Sequence, residues 1–170
     1  MDNREKTAPE QSENVRRCTI DELLALMEPQ YREDQNTIRQ CIAGLAEHAA
    51  QLAAKGQEEQ IPRLRELCIE MAEFWGLAED DTWEGYRKLE EQIGGGFDSA
   101  ISAARDSGRA PDMSEQTRQN ILDGLERYAQ EMALNGDDMG EWVAECEALS
   151  EQIRTEYPAE AQINMEMGGM

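Results

Sequence analysis

The sequence predicts an all-α fold: a helical bundle of about seven helices built on a tandem duplication of a three-helix unit. Three observations point there. Valine occurs only at Val15 and Val143 and aromatic residues make up 5% of the 170-residue chain, so a sheet would lack its preferred residues. Leu, Ile, Met and Ala recur three and four residues apart over long stretches, the period of a helix with one apolar face. Helix start and stop residues bracket those stretches.

Residues 1–18 are polar and read as a disordered tail. Thr19-Ile20-Asp21-Glu22 has the form of a capping box, Thr19 bonding forward and Glu22 reaching back. It opens a short helix carrying Ile20, Leu23, Leu24 and Met27, which Pro29 is expected to stop. A long helix from about Gln30 to Lys55 follows, with Ile38, Cys41, Ile42, Leu45, Ala49 and Leu52 on one face and Gly56 after it. The return helix spans Ile61 to Trp75, with Pro62 in its first turn and Leu64, Leu67, Cys68 and Met71 as its stripe. Gly76 closes it, and Thr82 to Ile93 forms a connecting helix. Gly94-Gly95-Gly96 reads as a flexible break between unit 1 (19–93) and unit 2 (97–157). The second unit repeats the plan: a short helix at 97–107, a long one at 114–135 and a return helix at 138–156. Residues 158–170 read as a flexible tail.

The repetition is visible residue by residue. Shifted by 80, residues 36–56 fall on 116–136 with six of 21 positions identical: Thr37/Thr117, Gly44/Gly124, Leu45/Leu125, Ala49/Ala129, Ala53/Ala133 and Gly56/Gly136. Two amphipathic helices share apolar periodicity by necessity, but a glycine inside a helix costs about 1 kcal/mol against alanine. Matched glycines at 44 and 124 therefore point to a close helix crossing.

The chain carries 37 acidic and 16 basic residues, a net charge of −21. Such a charge repels nucleic acid and anionic membrane surfaces and favours basic protein surfaces. It also exceeds the net charge of roughly 2–8 that solubility asks of a small domain. Cys18, Cys41, Cys68 and Cys146 are scattered, without the close spacing of a zinc site, and His48 is the only histidine. Reduced cysteines, no apolar core in residues 1–17 and no apolar run of membrane-spanning length lead to the expectation of a cytoplasmic protein.

No catalytic kit is visible. A single His leaves a proton relay without its second member, and no P-loop, G-x-S-x-G, H-E-x-x-H or G-x-G-x-x-G occurs. Helical pyrophosphatases place magnesium on Glu-x-x-Glu followed by Glu-x-x-Asp. Here Glu70 and Glu73 supply the first half, the second is missing, and the pair is expected to face water. Neither an enzyme nor a bound cofactor or metal is expected.

What remains is acid in rows. Glu66, Glu70 and Glu73 share a face of the first return helix. Asp137, Asp138, Glu141 and Glu145 form a comparable row on the second, and Glu147 and Glu151 another. Neighbours in such rows lie about 5–6 Å apart and repel by a few tenths of a kcal/mol, so the rows are either merely solvated or complementary to something basic. Trp75, Trp83 and Trp142 are expected on apolar stripes. Of these, Trp83, with Tyr86 beside it, is the best placed to be an exposed partner anchor. In charge, size and helicity alone, the chain is similar to acidic helical proteins that occupy the nucleic-acid channel of restriction or CRISPR nucleases. The expected function is a non-enzymatic module, monomeric or homodimeric, that binds a basic protein surface, including that of a nucleic-acid-binding enzyme. The alternatives are a helical chaperone or adaptor for a client peptide, and a magnesium-dependent hydrolase.

Overall fold

In a computed structural model of the chain, residues 19–136 and 139–159 are described, and they contain five α-helices, one 3₁₀ turn and no strand. The helices are α1 (Ile20–Ala54), α2 (Ile61–Phe74), α3 (Trp83–Ser107), α4 (Glu115–Leu134) and α5 (Gly140–Glu156). The 3₁₀ turn, Glu58–Gln60, precedes α2. None of these helices is long and apolar enough to cross a membrane. Both predicted tails, residues 1–18 and most of 158–170, lie outside the described residues, as does Cys18.

Five helices replace the expected seven because two predicted boundaries are not boundaries. Pro29 lies inside α1. A proline removes one backbone hydrogen bond and crowds the preceding turn, which kinks a helix without having to end it. The Glu28–Arg32 pair, 2.5 Å apart, bridges the turn that holds the proline. The second case is Gly94-Gly95-Gly96, which α3 crosses without interruption. Three glycines cost a helix about 3 kcal/mol against alanine. Leu89, Ile93, Phe97, Ile101 and Ala104 nevertheless stay in phase across them, and all five are buried. Burial of that continuous stripe outweighs the local propensity, so the glycines are helical and no break separates the two halves.

The chain divides into two compact units after Glu33. In the first, the capping box forms as predicted: Thr19 N donates to Glu22 Oε2 (3.2 Å) and Glu22 N to Thr19 Oγ1 (3.1 Å). Ile20, Leu23, Leu26 and Met27 are exposed there.

The second unit holds the core. Its centre is the crossing of α1 and α4, where each glycine lies against a side chain of the other helix, the close approach their pairing predicts. A Cβ built on Gly44 would lie 2.5 Å from Ile121 Cγ1 and 3.4 Å from Thr117 Cγ2. One built on Gly124 would collide with Cys41 Cβ and approach the Thr37 carbonyl. These contacts exchange under the 80-residue shift, since Cys41 corresponds to Ile121 and Thr37 to Thr117. The close approach is sealed by the Cys41 thiol, which donates to the Ile121 carbonyl (3.4 Å).

The ends of the return helices are held in a similarly reciprocal way. Gln35 of α1 donates to the carbonyl of Trp75, which caps α2, and Arg118 of α4 donates to the carbonyl of Tyr157, which caps α5. The rings cross over: Tyr128 of α4 packs on Trp75 and His48 of α1 meets Tyr157 edge-on, the centroids 5.7 and 5.5 Å apart. Cys41, Cys68 and Cys146 are buried free thiols in this core. His48 is wholly buried.

Two predictions follow from this packing. Gly124→Ala should destabilise the protein by about 1–3 kcal/mol through overpacking. Gly95→Ala, with nothing near its Cβ position, should stabilise it by roughly 0.5–1 kcal/mol. Urea titration of both variants checks this, and the same sign for the two would contradict it. The second prediction concerns pH. His48 Nδ1 bonds to Tyr157 Oη (2.8 Å), and burial, aided by Lys55 and opposed by Glu156, lowers its pKa. Below about pH 6.5 the unfolded chain takes up a proton that the folded one resists, so stability is lost as pH falls through that point. Melting temperatures from about pH 7.5 to 5.5 should therefore fall more steeply for the native chain than for His48→Phe. Parallel slopes would exclude the effect.

Candidate protein-binding site

Arg63, in the first turn of α2, is the organising residue. Its Nε donates to Glu145 Oε2 of α5 (2.7 Å) and its Nη2 to Glu145 Oε1 (2.5 Å), a two-pronged grip on one carboxylate. The same guanidinium donates to Glu70 Oε1 and Oε2 (3.1 and 3.3 Å) and to Glu66 Oε2 (3.2 Å). One cation thus holds three carboxylates, and the bond to Glu145 is the main reason its proton is held more tightly than usual. Trp142 Nε1 of α5 donates to Glu70 Oε2 (3.2 Å), which fixes the indole against α2. Glu70 was expected to face water, but it is half-buried at the junction of the two return helices. Opposite the apolar stripe of α2 lies another helix here, not solvent.

One turn along, Glu73 borders an open groove of about 650 Å³ whose other walls include Phe74, Tyr128, Met132 and Trp142. Phe74 and Tyr128 stack edge-on at 5.9 Å, and Phe74 keeps 43% of its surface exposed. Glu73 has no cationic partner among the described residues. Partial burial, then Glu90 of α3, then Glu70 raise its pKa above the ordinary glutamate value. The same environment raises the Tyr128 phenol, chiefly through burial and secondly through Glu70.

The N-terminus of α3 continues this acidic surface. Thr82 caps the helix by accepting from Gly85 N (3.1 Å), and Asp80 Oδ1 accepts from Thr82 N (3.1 Å). Gly85 is needed where it stands, because a Cβ there would run into Asp80. Tyr86 Oη donates to Asp81 Oδ1 (2.6 Å), which raises its pKa, and Glu73 adds to that shift. Trp83 is 77% exposed and not part of the core.

Of the predicted residues, Glu66, Glu70, Glu73 and Glu145 are joined by contact or by field, and Tyr86 reaches them through Glu73. Glu141 is exposed in the first turn of α5. Glu147 is separate, lining another groove with Leu125, Glu126 and Val143, and Glu151 pairs with Arg154 (3.6 Å). Asp137 and Asp138 lie outside the described residues. The acid of the return helices is therefore not all on outer faces: Glu70 and Glu145 point into their junction. Arg63, Glu90 and Phe74 are the members that sequence reading missed. Arg63 was detectable, since it precedes Glu66 and Glu70 by three and seven residues on one helical face. The reach to Glu145 and the approach of Glu90 depend on packing. Among the described residues, no three His, Cys, Asp or Glu side chains converge as metal ligands.

Replacing Arg63 by methionine should leave Glu70 and Glu145 facing each other without their cation. The expected cost is about 1–2 kcal/mol, below that of a fully buried pair because Arg63 is 40% exposed. Adding Glu145→Gln should recover part of it, measured as urea midpoints. An unchanged midpoint in Arg63→Met would show that the clamp contributes nothing. Comparison with protein-family models, with curated proteins and with solved structures finds no match to this chain.

Proposed function

We propose that this chain is a non-enzymatic binding module for a basic protein surface, and that it docks through the face built by α2, the N-terminus of α3 and the start of α5. The observation that carries this reading is unbalanced charge with aromatic anchors beside it. Three carboxylates share the single guanidinium of Arg63, Glu90 adds repulsion at Glu73, which has no cationic partner among the described residues, and Trp83 and Phe74 stand exposed. Folding alone favours neither the repulsion nor the exposed indole. A basic partner relieves the first and covers the second.

The same charge supports a sharper form of the proposal, in which the partner is a nucleic-acid-binding enzyme and the carboxylates occupy its phosphate sites. On this reading the protein works in the cytoplasm as an inhibitor, and the partner's own nucleic acid competes with it. The reciprocal contacts at Gly44 and Gly124 support descent of the two halves from one duplicated unit, with the residues of the break now absorbed into α3. A second reading, a helical adaptor, is favoured by one observation, the exposed Ile20, Leu23, Leu26 and Met27. Serine at Leu23 and Met27 would abolish binding under the adaptor reading and spare it under the first.

Affinity capture from the native host at about 0.05 M and about 0.5 M salt separates electrostatic from apolar docking. The captured partner should be basic, should be lost at the higher salt, and should be lost at either salt from a Glu73→Lys/Glu90→Lys variant. Equal recovery at both salts would remove the electrostatic account.

A further inference from the structure

The groove beside Glu73 has features that a merely acidic surface lacks. Its walls are mainly aromatic and thioether side chains, with Asn135 among them, and of the two carboxylates that line it Glu70 is held by Arg63 while Glu73 has no cationic partner among the described residues. Apolar walls with one unmet negative charge match a ligand group that is itself flat, weakly hydrated and positive. Arginine has that character. Lysine, a compact and strongly hydrated charge, fits an aromatic wall less well.

The geometry points to this groove as the receptor for one arginine side chain of a basic partner, its guanidinium lying against Trp142 and Phe74 and donating to Glu73. The assignment rests on the proposed function, which it sharpens from a charged face to a single anchoring residue. The chain already contains the same recognition in an intramolecular form. Arg63 satisfies Glu145 with two parallel bonds and Glu70 with two longer ones, and Trp142 donates to Glu70 beside them. Glu73 lies one turn further along α2, where no arginine arrives among the described residues. Trp142 is held by its Nε1 bond to Glu70, so its ring is fixed before any ligand enters. A rigid aromatic wall lowers the ordering cost of binding. The groove, at about 650 Å³, is open enough to admit a guanidinium from a protein surface. Glu90 adds negative potential from α3, so entry of a cation relieves Glu73 from two sides.

The test uses the full chain and a blocked Gly-Arg-Gly peptide, followed through the Trp142 indole N–H resonance and the Glu73 side-chain carboxyl carbon. Both should shift saturably with the arginine peptide, less with its lysine analogue and not at all with the neutral citrulline analogue. Glu73→Gln should weaken the peptide about tenfold, the loss of one charge-assisted contact. Glu147→Gln, at the other groove, should leave it unchanged. Equal shifts with citrulline, or unchanged affinity in Glu73→Gln, would overturn the assignment. If the peptide fails to bind while a basic partner is still captured in a salt-sensitive way, the arginine site is wrong and the docking face stands. If the peptide binds as expected and no salt-sensitive basic partner is captured, the site stands and the wider functional reading fails.

Discussion

At Gly44 and Gly124 two long helices touch with no side chain of either glycine between them, and the other helices of the second unit take their places from that contact. Each glycine forgoes about 1 kcal/mol of helix propensity, and in return α1 and α4 pack closely enough to bury Cys41 and Ile121 completely. The return helices then lie against this pair, their ends held through the carbonyls of Trp75 and Tyr157. Because α1 and α4 are close, α2 and α5 come near enough for one arginine to span them. Arg63 reaches Glu145 only because of that spacing, and the groove beside Glu73 is the space left next to the clamp.

Charge and packing act on different parts of this molecule. The core is ordinary helical packing of Leu, Ile, Met and Cys, with one buried carboxylate, Asp34, paired to Arg127 of α4 (3.1 Å). The other described acids are on the surface and at half-buried rims, where solvent weakens each repulsion but does not remove it. Arg63 turns three such carboxylates into a structural clamp. Glu73 and Glu90 have no equivalent among the described residues, and the field of Glu73 extends to Tyr86 at the start of α3. The proposed docking face rests on that distinction, between acid the fold uses and acid it leaves unmet, within a chain that is acidic throughout.

Much of the fold was legible in local signals. The Thr19–Glu22 box and the stripe of α2 follow from nearest neighbours, and the structure forms them as read. The matched glycines carried tertiary information as well, since only a close crossing explains both. Pro29 and the glycine run misled because propensity was given more weight than phase. The stripe from Leu89 to Ile101 keeps its four-residue step through Gly94-Gly95-Gly96, and that continuity decides the conformation. The site was legible only in part. Glu66, Glu70 and Glu73 form a row on any helical projection, and Trp83 stood apart as the tryptophan best placed to be exposed. Which acids find a cation depends on where α5 and α3 lie across from α2, and no spacing within one helix encodes that.

Titration of individual carboxyl groups by carbon-13 NMR tests most directly whether the fold holds unmet acid at this face. The account predicts that Glu73 titrates above the ordinary glutamate value and moves down towards it when Glu90 is changed to glutamine. A Glu73 that titrates at the ordinary value, indifferent to residue 90, would contradict it.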